Sequence, residues 1–139
     1  MQDLQFPSDV AIQGRAGFVR IVSGRVDSAM FVLYFPQRRH GNVDNATQKL
    51  VDWVQDLLQN RVPARCTPLI FCDLNDRLGI QEVSAGEWVQ SNHLASTVGP
   101  IAPEKEGFNS TVFREAAERH NLCFTNTHLH AGPTLFFIW

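Results

Sequence analysis

A helical stripe set between two β-rich stretches constrains this chain more than any other feature. Leu50, Trp53, Val54, Leu57 and Leu58 recur at i, i+3, i+4, i+7 and i+8, which puts them on one face of an α-helix. Asp44 or Asn45 can cap its start, and Pro63 lies beyond its end. Before the stripe, "GFVRIVSGRVDSAMFVLYF" reads as two strands, Phe18 to Val22 and Ala29 to Phe35, around the turn-like "SGRVDS". Pro36 closes the second strand, because it has no N–H to give a ladder. After the stripe, "TPLIFCDLN" is a short, continuous apolar run, the pattern of a strand covered on both faces. A strand, then a helix, then a buried strand is an α/β order.

The remainder patterns less sharply. The first residues, to about Gly17, are polar and show little periodicity. From Asp76 to Asn109 the chain carries Gly79, Gly86, Gly99, Pro100 and Pro103 and reads as a long irregular connection. "STVFREAAERHNL" predicts a second amphipathic helix, with Ser110 as N-cap and Val112, Phe113, Ala116 and Ala117 facing inward. "CFTNT" and "TLFFIW" read as two further strands around the turn-like "HAGP".

Composition bounds the function classes. With 139 residues, 44% of them hydrophobic, the chain can bury one core. A formal net charge of −2 argues against a general polyanion binder, although a local basic surface stays compatible with a nuclease. No apolar run approaches the roughly 20 residues that span a bilayer. "MQDLQFPSDVAIQG" has neither the basic start nor the apolar stretch of a signal peptide. Cys66, Cys72 and Cys123 are odd in number and lack C-x-x-C spacing, so reduced thiols of an intracellular protein, in cytoplasm or nucleus, are expected.

Chemistry concentrates where the apolar run meets "DLN". Asp73 and Asn75 lie two apart, and on a continuing strand both side chains point to one face. A carboxylate there can bind a hard cation or take a proton from water, and a carboxamide can orient a water or a phosphate oxygen. Turn chemistry is the alternative, since Asp and Asn both bond their own backbone in turns.

"LIFCDLN" resembles the hydrophobic strand ending in Gly-Asp-Phe/Leu-Asn of the endonuclease/exonuclease/phosphatase superfamily, the exonuclease III and deoxyribonuclease I relatives. "FVLYFP" resembles that family's strand ending in Tyr-x-Pro, which also leads through a polar loop and a helix to the Asp-x-Asn strand. "FREAAERHNLCFTNTHL" and "PTLFFIW" resemble later segments of the endonuclease domains of non-LTR retrotransposons. The resemblance runs from about Phe18 to Trp139, with Cys72 in place of the usual Gly and little match between Asp76 and Asn109.

The fold that this resemblance implies is a partial two-sheet sandwich flanked by helices, an α/β (α+β) domain of the deoxyribonuclease I type. The reaction implied is Mg²⁺-assisted hydrolysis of a phosphodiester, with DNA as partner. Asp73 would position or deprotonate the attacking water, Asn75 would orient water or phosphate, and Tyr34 would bond the phosphate. Gln37, Arg38 and Thr134 would contact the nucleic acid. The family also needs a metal-binding Glu on an early strand, a later Asp and a terminal Asp-His pair. This chain has no Glu before Glu82 and no Asp after Asp76, so no complete metal site is expected. A fragment that cannot assemble the whole site alone is the reading that follows. Its unpaired strand edges and the apolar Phe136 to Trp139 would then favour self-association.

Two other readings stand beside it. "THLH" places His128 and His130 two apart, a spacing that can hold Zn²⁺, though surface histidines account for it more simply. The chain can also be another branch of the superfamily, acting at a repair site or on a phospholipid headgroup, or a non-catalytic remnant used for interaction.

Overall fold

The computed structural model describes residues 2–37, 43–84, 87–89, 97–98, 104–125 and 136–138. It is a mixed α+β structure. Among the described residues, the main sheet has five strands in the order β1-β2-β3-β4-β8. These are β1 (Gln2–Gln5), β2 (Ala16–Ser23), β3 (Val26–Tyr34), β4 (Thr67–Asp73) and β8 (Phe136–Ile138). The helices are α1 (Val43–Asn60), between β3 and β4, and α2 (Phe108–Arg119). A smaller sheet pairs β6 (Glu87–Val89), β5 (Gly79–Ser84) and β7 (Glu104–Lys105) in that order.

β2 and β3 form an antiparallel hairpin, turned at Gly24, whose φ of 57° is one that glycine adopts without steric cost. β3 and β4 run parallel with α1 as the crossover, which is why a helix separates two segments that are neighbours in the sheet. β8 pairs antiparallel with the other side of β4.

Alternation along the strands sorts side chains into two faces. Phe18 of β2, Ala29, Phe31 and Leu33 of β3, and Ile70 and Cys72 of β4 are buried in one core with Leu50, Val51, Val54 and Leu57 of α1. Phe113 of α2 joins it, its ring 5.1 Å from Phe35 and 6.0 Å from Phe124. The face carries its own ion pair at the hairpin end. Arg20 donates to both carboxylate oxygens of Asp27 at 2.8 and 2.7 Å, and Arg65 adds a bond at 3.1 Å. The Arg20 bonds, helped by Cys66 and Arg65, hold the Asp27 carboxyl well below the usual carboxylate range.

Several expectations need correction. The N-terminal stretch is not unpatterned: Gln2–Gln5 forms an edge strand on β2. The region from Asp76 to Asn109 is not wholly irregular, since it holds β5, β6 and β7. Their strands are short and interrupted by glycine, too little for a periodic signal. The α1 stripe faces inward as expected: Leu50, Val54 and Leu57 fill the core, and Trp53 and Leu58 pack at its margin. Asp44 and Asn45 lie inside the first turn of α1, which starts at Val43. Of "CFTNT", the described residues Cys123 to Thr125 form no regular strand, although Phe124 makes an isolated bridge to Val98; Asn126 and Thr127 lie outside the described residues.

Ser110 is not the N-cap of α2. The cap is Gly107, which has no side chain to offer. Asp76 supplies the missing acceptor from the segment after β4: its Oδ2 accepts the Ser110 N–H at 3.3 Å. A Cβ on Gly107 would run into that same carboxylate, so any other residue there would push Asp76 away from the Ser110 N–H. The Ser110 hydroxyl is buried with no hydrogen-bond partner among the described residues.

Candidate functional site

Parallel pairing sets Tyr34 at the end of β3 directly beside Asp73 at the end of β4. Paired residues of parallel strands share a face, so both side chains leave the sheet on the side away from the helices. Both are exposed. Beyond them the two chains stay tied together. The Phe35 N–H donates to the Asp73 carbonyl at 2.9 Å, so pairing outlasts the formal strand by one residue.

Asn75 does not simply continue the strand alternation, as two-residue spacing implied. Its φ is 49°, a left-handed conformation that Asn tolerates better than most residues. The Asp73 Oδ1 accepts the Asn75 N–H at 2.9 Å, a side-chain-to-backbone bond across two residues. The chain therefore turns back, and Asn75 Nδ2 donates to the Phe35 carbonyl at 2.7 Å. Gln37 Nε2 in turn donates to Asn75 Oδ1 at 3.3 Å. Turn chemistry and convergence are thus the same feature: the turn carries Asn75 across to the β3 end, where Gln37 meets it.

A buried amide fixes this edge from below. Asn109, on the first turn of α2, donates through Nδ2 to the carbonyls of Pro36 and Leu74, each at 2.9 Å. Its Oδ1 accepts from Thr47 Oγ1 of α1 at 2.7 Å. One side chain thereby ties both strand ends to both helices. All its polar atoms have partners, the condition under which a buried polar group stabilises rather than costs. Nothing in the sequence marks Asn109 or Thr47 for this role, because the bonded partners lie 35 to 73 positions apart.

Arg15 also escapes a reading based on motifs. The Tyr34 N–H donates to its carbonyl at 2.8 Å, which registers Arg15 beside Tyr34 just before β2. Its guanidinium lies 5.8 Å from the centre of the Tyr34 ring, within cation–π range. Arg15, Tyr34 and Asp73 therefore form a row across three adjacent chains at one end of the sheet. Cys72 lies behind the row on the helix side, and burial together with the Asp73 charge pushes its thiol far up, leaving it neutral and inert.

The donor set does not fit a resident Mg²⁺. Among the described residues, no three His, Cys, Asp or Glu side chains come together to hold a metal ion. Asp73 brings one carboxylate, with one oxygen already accepting a backbone bond. That leaves most of an octahedral oxygen shell to water. Arg38, Thr134, His128 and His130 lie outside the described residues. No helix among the described residues is long and apolar enough to cross a membrane. No family model, no curated protein and no solved structure matches the chain.

Proposed function

We propose that this chain carries the Tyr-Asp-Asn edge of a phosphodiesterase of the endonuclease/exonuclease/phosphatase type, nearest to the DNA endonuclease domains of retrotransposons. The observation that supports this reading is the shared strand end, with Tyr34 and Asp73 in register and Asn75 and Gln37 bonded beside them. A reacting phosphate needs several groups within reach at once, and preorganisation of this kind is what lowers the barrier. In this reading the Tyr34 hydroxyl and the Gln37 amide donate to phosphate oxygens, Asn75 orients the attacking water, and Asp73 accepts its proton. The sandwich of the deoxyribonuclease I type belongs to the same proposal, as does DNA as the partner.

One observation favours a second reading, a non-catalytic remnant: among the described residues no group of three or more His, Cys, Asp or Glu side chains is placed to hold a metal ion. The two readings separate in a nicking assay on supercoiled plasmid in Mg²⁺. The chain alone is expected to nick little, and Asp73→Ala to change that little. A chimera adding the Glu strand and the Asp and Asp-His segments of a retrotransposon endonuclease is expected to nick. Asp73→Ala should then reduce its rate by about a hundredfold or more, as loss of a positioned base does. A folded chimera that stays inactive supports the remnant. Robust nicking by the chain alone that survives Asp73→Ala overturns the phosphodiesterase reading.

A further inference from the structure

The sheet face opposite the helices has the composition of a core. Antiparallel strands with one wet face alternate apolar and polar residues. β2 and β3 do not: Val19, Met30 and Val32 look out on the side where Phe18, Phe31 and Leu33 do not. Leu4 is 63% exposed, Phe6 67%, Val32 61% and Tyr34 44%. Gly17 leaves room for the Phe6 ring, which would sit 3.3 Å from a Cβ there. Between Leu4, Phe6, Val19, Met30 and Val32 lies an open hollow of about 450 Å³, room for side chains from a facing layer. Among the described strand residues that look out on this face, charge lies in the end row, with Arg15 on one side of Tyr34 and Asp73 on the other.

We propose that two copies of this chain pack through this face, related by a two-fold axis running along β3. The proposal does not rest on the phosphodiesterase reading and competes with it for one surface, because Tyr34 and Asp73 cannot face a phosphate while a second copy covers them. Two arguments choose a second copy as the occupant. The first is charge. A two-fold axis along β3 keeps the facing strands aligned and lays β2 of one copy over β4 of the other. Arg15 then opposes Asp73 of the second copy, twice, with the two Tyr34 rings between them. Packed sheets lie about 10 Å apart, within about 30° of alignment, a gap that a long guanidinium stem and a carboxylate can close from opposite sides. The row is self-complementary as an isologous interface requires.

The second argument is area. β2, β3 and β4 run 8, 9 and 7 residues, with β1 alongside. At about 4.8 Å between strands and 3.3 Å per residue, the face projects to roughly 500 Å² per copy, hence roughly 1,000 Å² for the pair. That reaches the size at which specific interfaces begin.

Sedimentation velocity over a wide concentration range tests the proposal. The wild-type chain is expected to show a concentration-dependent monomer–dimer step. Val32→Asp puts an unpaired carboxylate in the middle of the face and should weaken dimerisation by about a hundredfold or more, with the far-ultraviolet circular dichroism unchanged. Arg15→Asp and Asp73→Arg each oppose like charges and should weaken it by about two- to fivefold, the scale of rim pairs. The double variant Arg15→Asp/Asp73→Arg should recover wild-type association. That recovery also guards against a folding defect in either single variant. A monomer at all concentrations overturns the proposal, whatever small molecule or other partner then covers the face. So does association that Val32→Asp leaves intact, which would place the contact at a strand edge, or a double variant no better than its parents.

Discussion

Val32 and Leu33 are neighbours in β3, yet Val32 is 61% exposed and Leu33 only 2%. The two faces of this sheet differ in cover, not in chemistry. One carries Phe18, Phe31, Leu33 and Ile70 beneath two helices. The other carries Leu4, Val19, Met30 and Val32, with no helix of the described residues over it. A sheet stabilised from one side must draw its packing energy from that side, so substitutions of similar chemistry should have very different effects on the two faces. The open face can evolve or bind at small cost to folding, and the row Arg15–Tyr34–Asp73 lies on it.

The comparison breaks most decisively at Phe113. Its ring bridges Phe35 and Phe124 and locks α2 over the strand ends. Phe113→Ala should destabilise by about 3–5 kcal/mol, the cost of an aromatic-sized cavity, measured as a shift in the urea midpoint. A loss below about 1 kcal/mol would mean that α2 does not share the core.

The helix-covered face was legible in the sequence where periodicity was long. The α1 stripe has five apolar positions over two turns, and all five enter or flank the core as spacing requires. Trp53 and Leu58 flank the core and Leu50, Val54 and Leu57 fill it, because a stripe gives direction, not depth. The small sheet was illegible because strands of two to six residues carry too few alternations to stand out. At the site, "DLN" marked Asp73 and Asn75, but the left-handed turn at Asn75 comes from a bond to Asp73 that spacing alone leaves open. Arg15 and Asn109 act through neighbours brought in by topology. No local pattern encodes a partner across a sheet or a helix.

Acid sharpens the comparison further, because the helix-side face also holds the Arg20–Asp27 pair. The hydrogen bonds from Arg20, then those from Cys66 and Arg65, lower the Asp27 carboxyl below its ordinary 3.8. Its unfolded form therefore binds a proton at higher pH than its folded form. The pair's contribution is present above the unfolded value and is lost as pH falls below it toward the folded one. Urea midpoints of the wild type and Asp27→Asn should accordingly lie furthest apart near neutral pH and converge below about pH 4. A gap that stays constant with pH would remove Asp27 from the acid response.

The smallest effect is expected at Val32, and it decides whether the open face is open in the single chain. Val32→Thr keeps the β-branched shape and strand preference and changes one methyl to a hydroxyl. On an exposed position that hydroxyl meets water, so the change should stay within about 0.5 kcal/mol in urea, measured dilute enough to hold the chain monomeric. The same hydroxyl at Leu33, 2% exposed, would be stripped of water and leave a void as well. Leu33→Thr should then cost several times more, about 2–4 kcal/mol. Equal losses at the two positions would mean that something already covers Val32 within one chain. In that case the face is a finished core, and neither a second copy nor any other layer is needed to explain its composition.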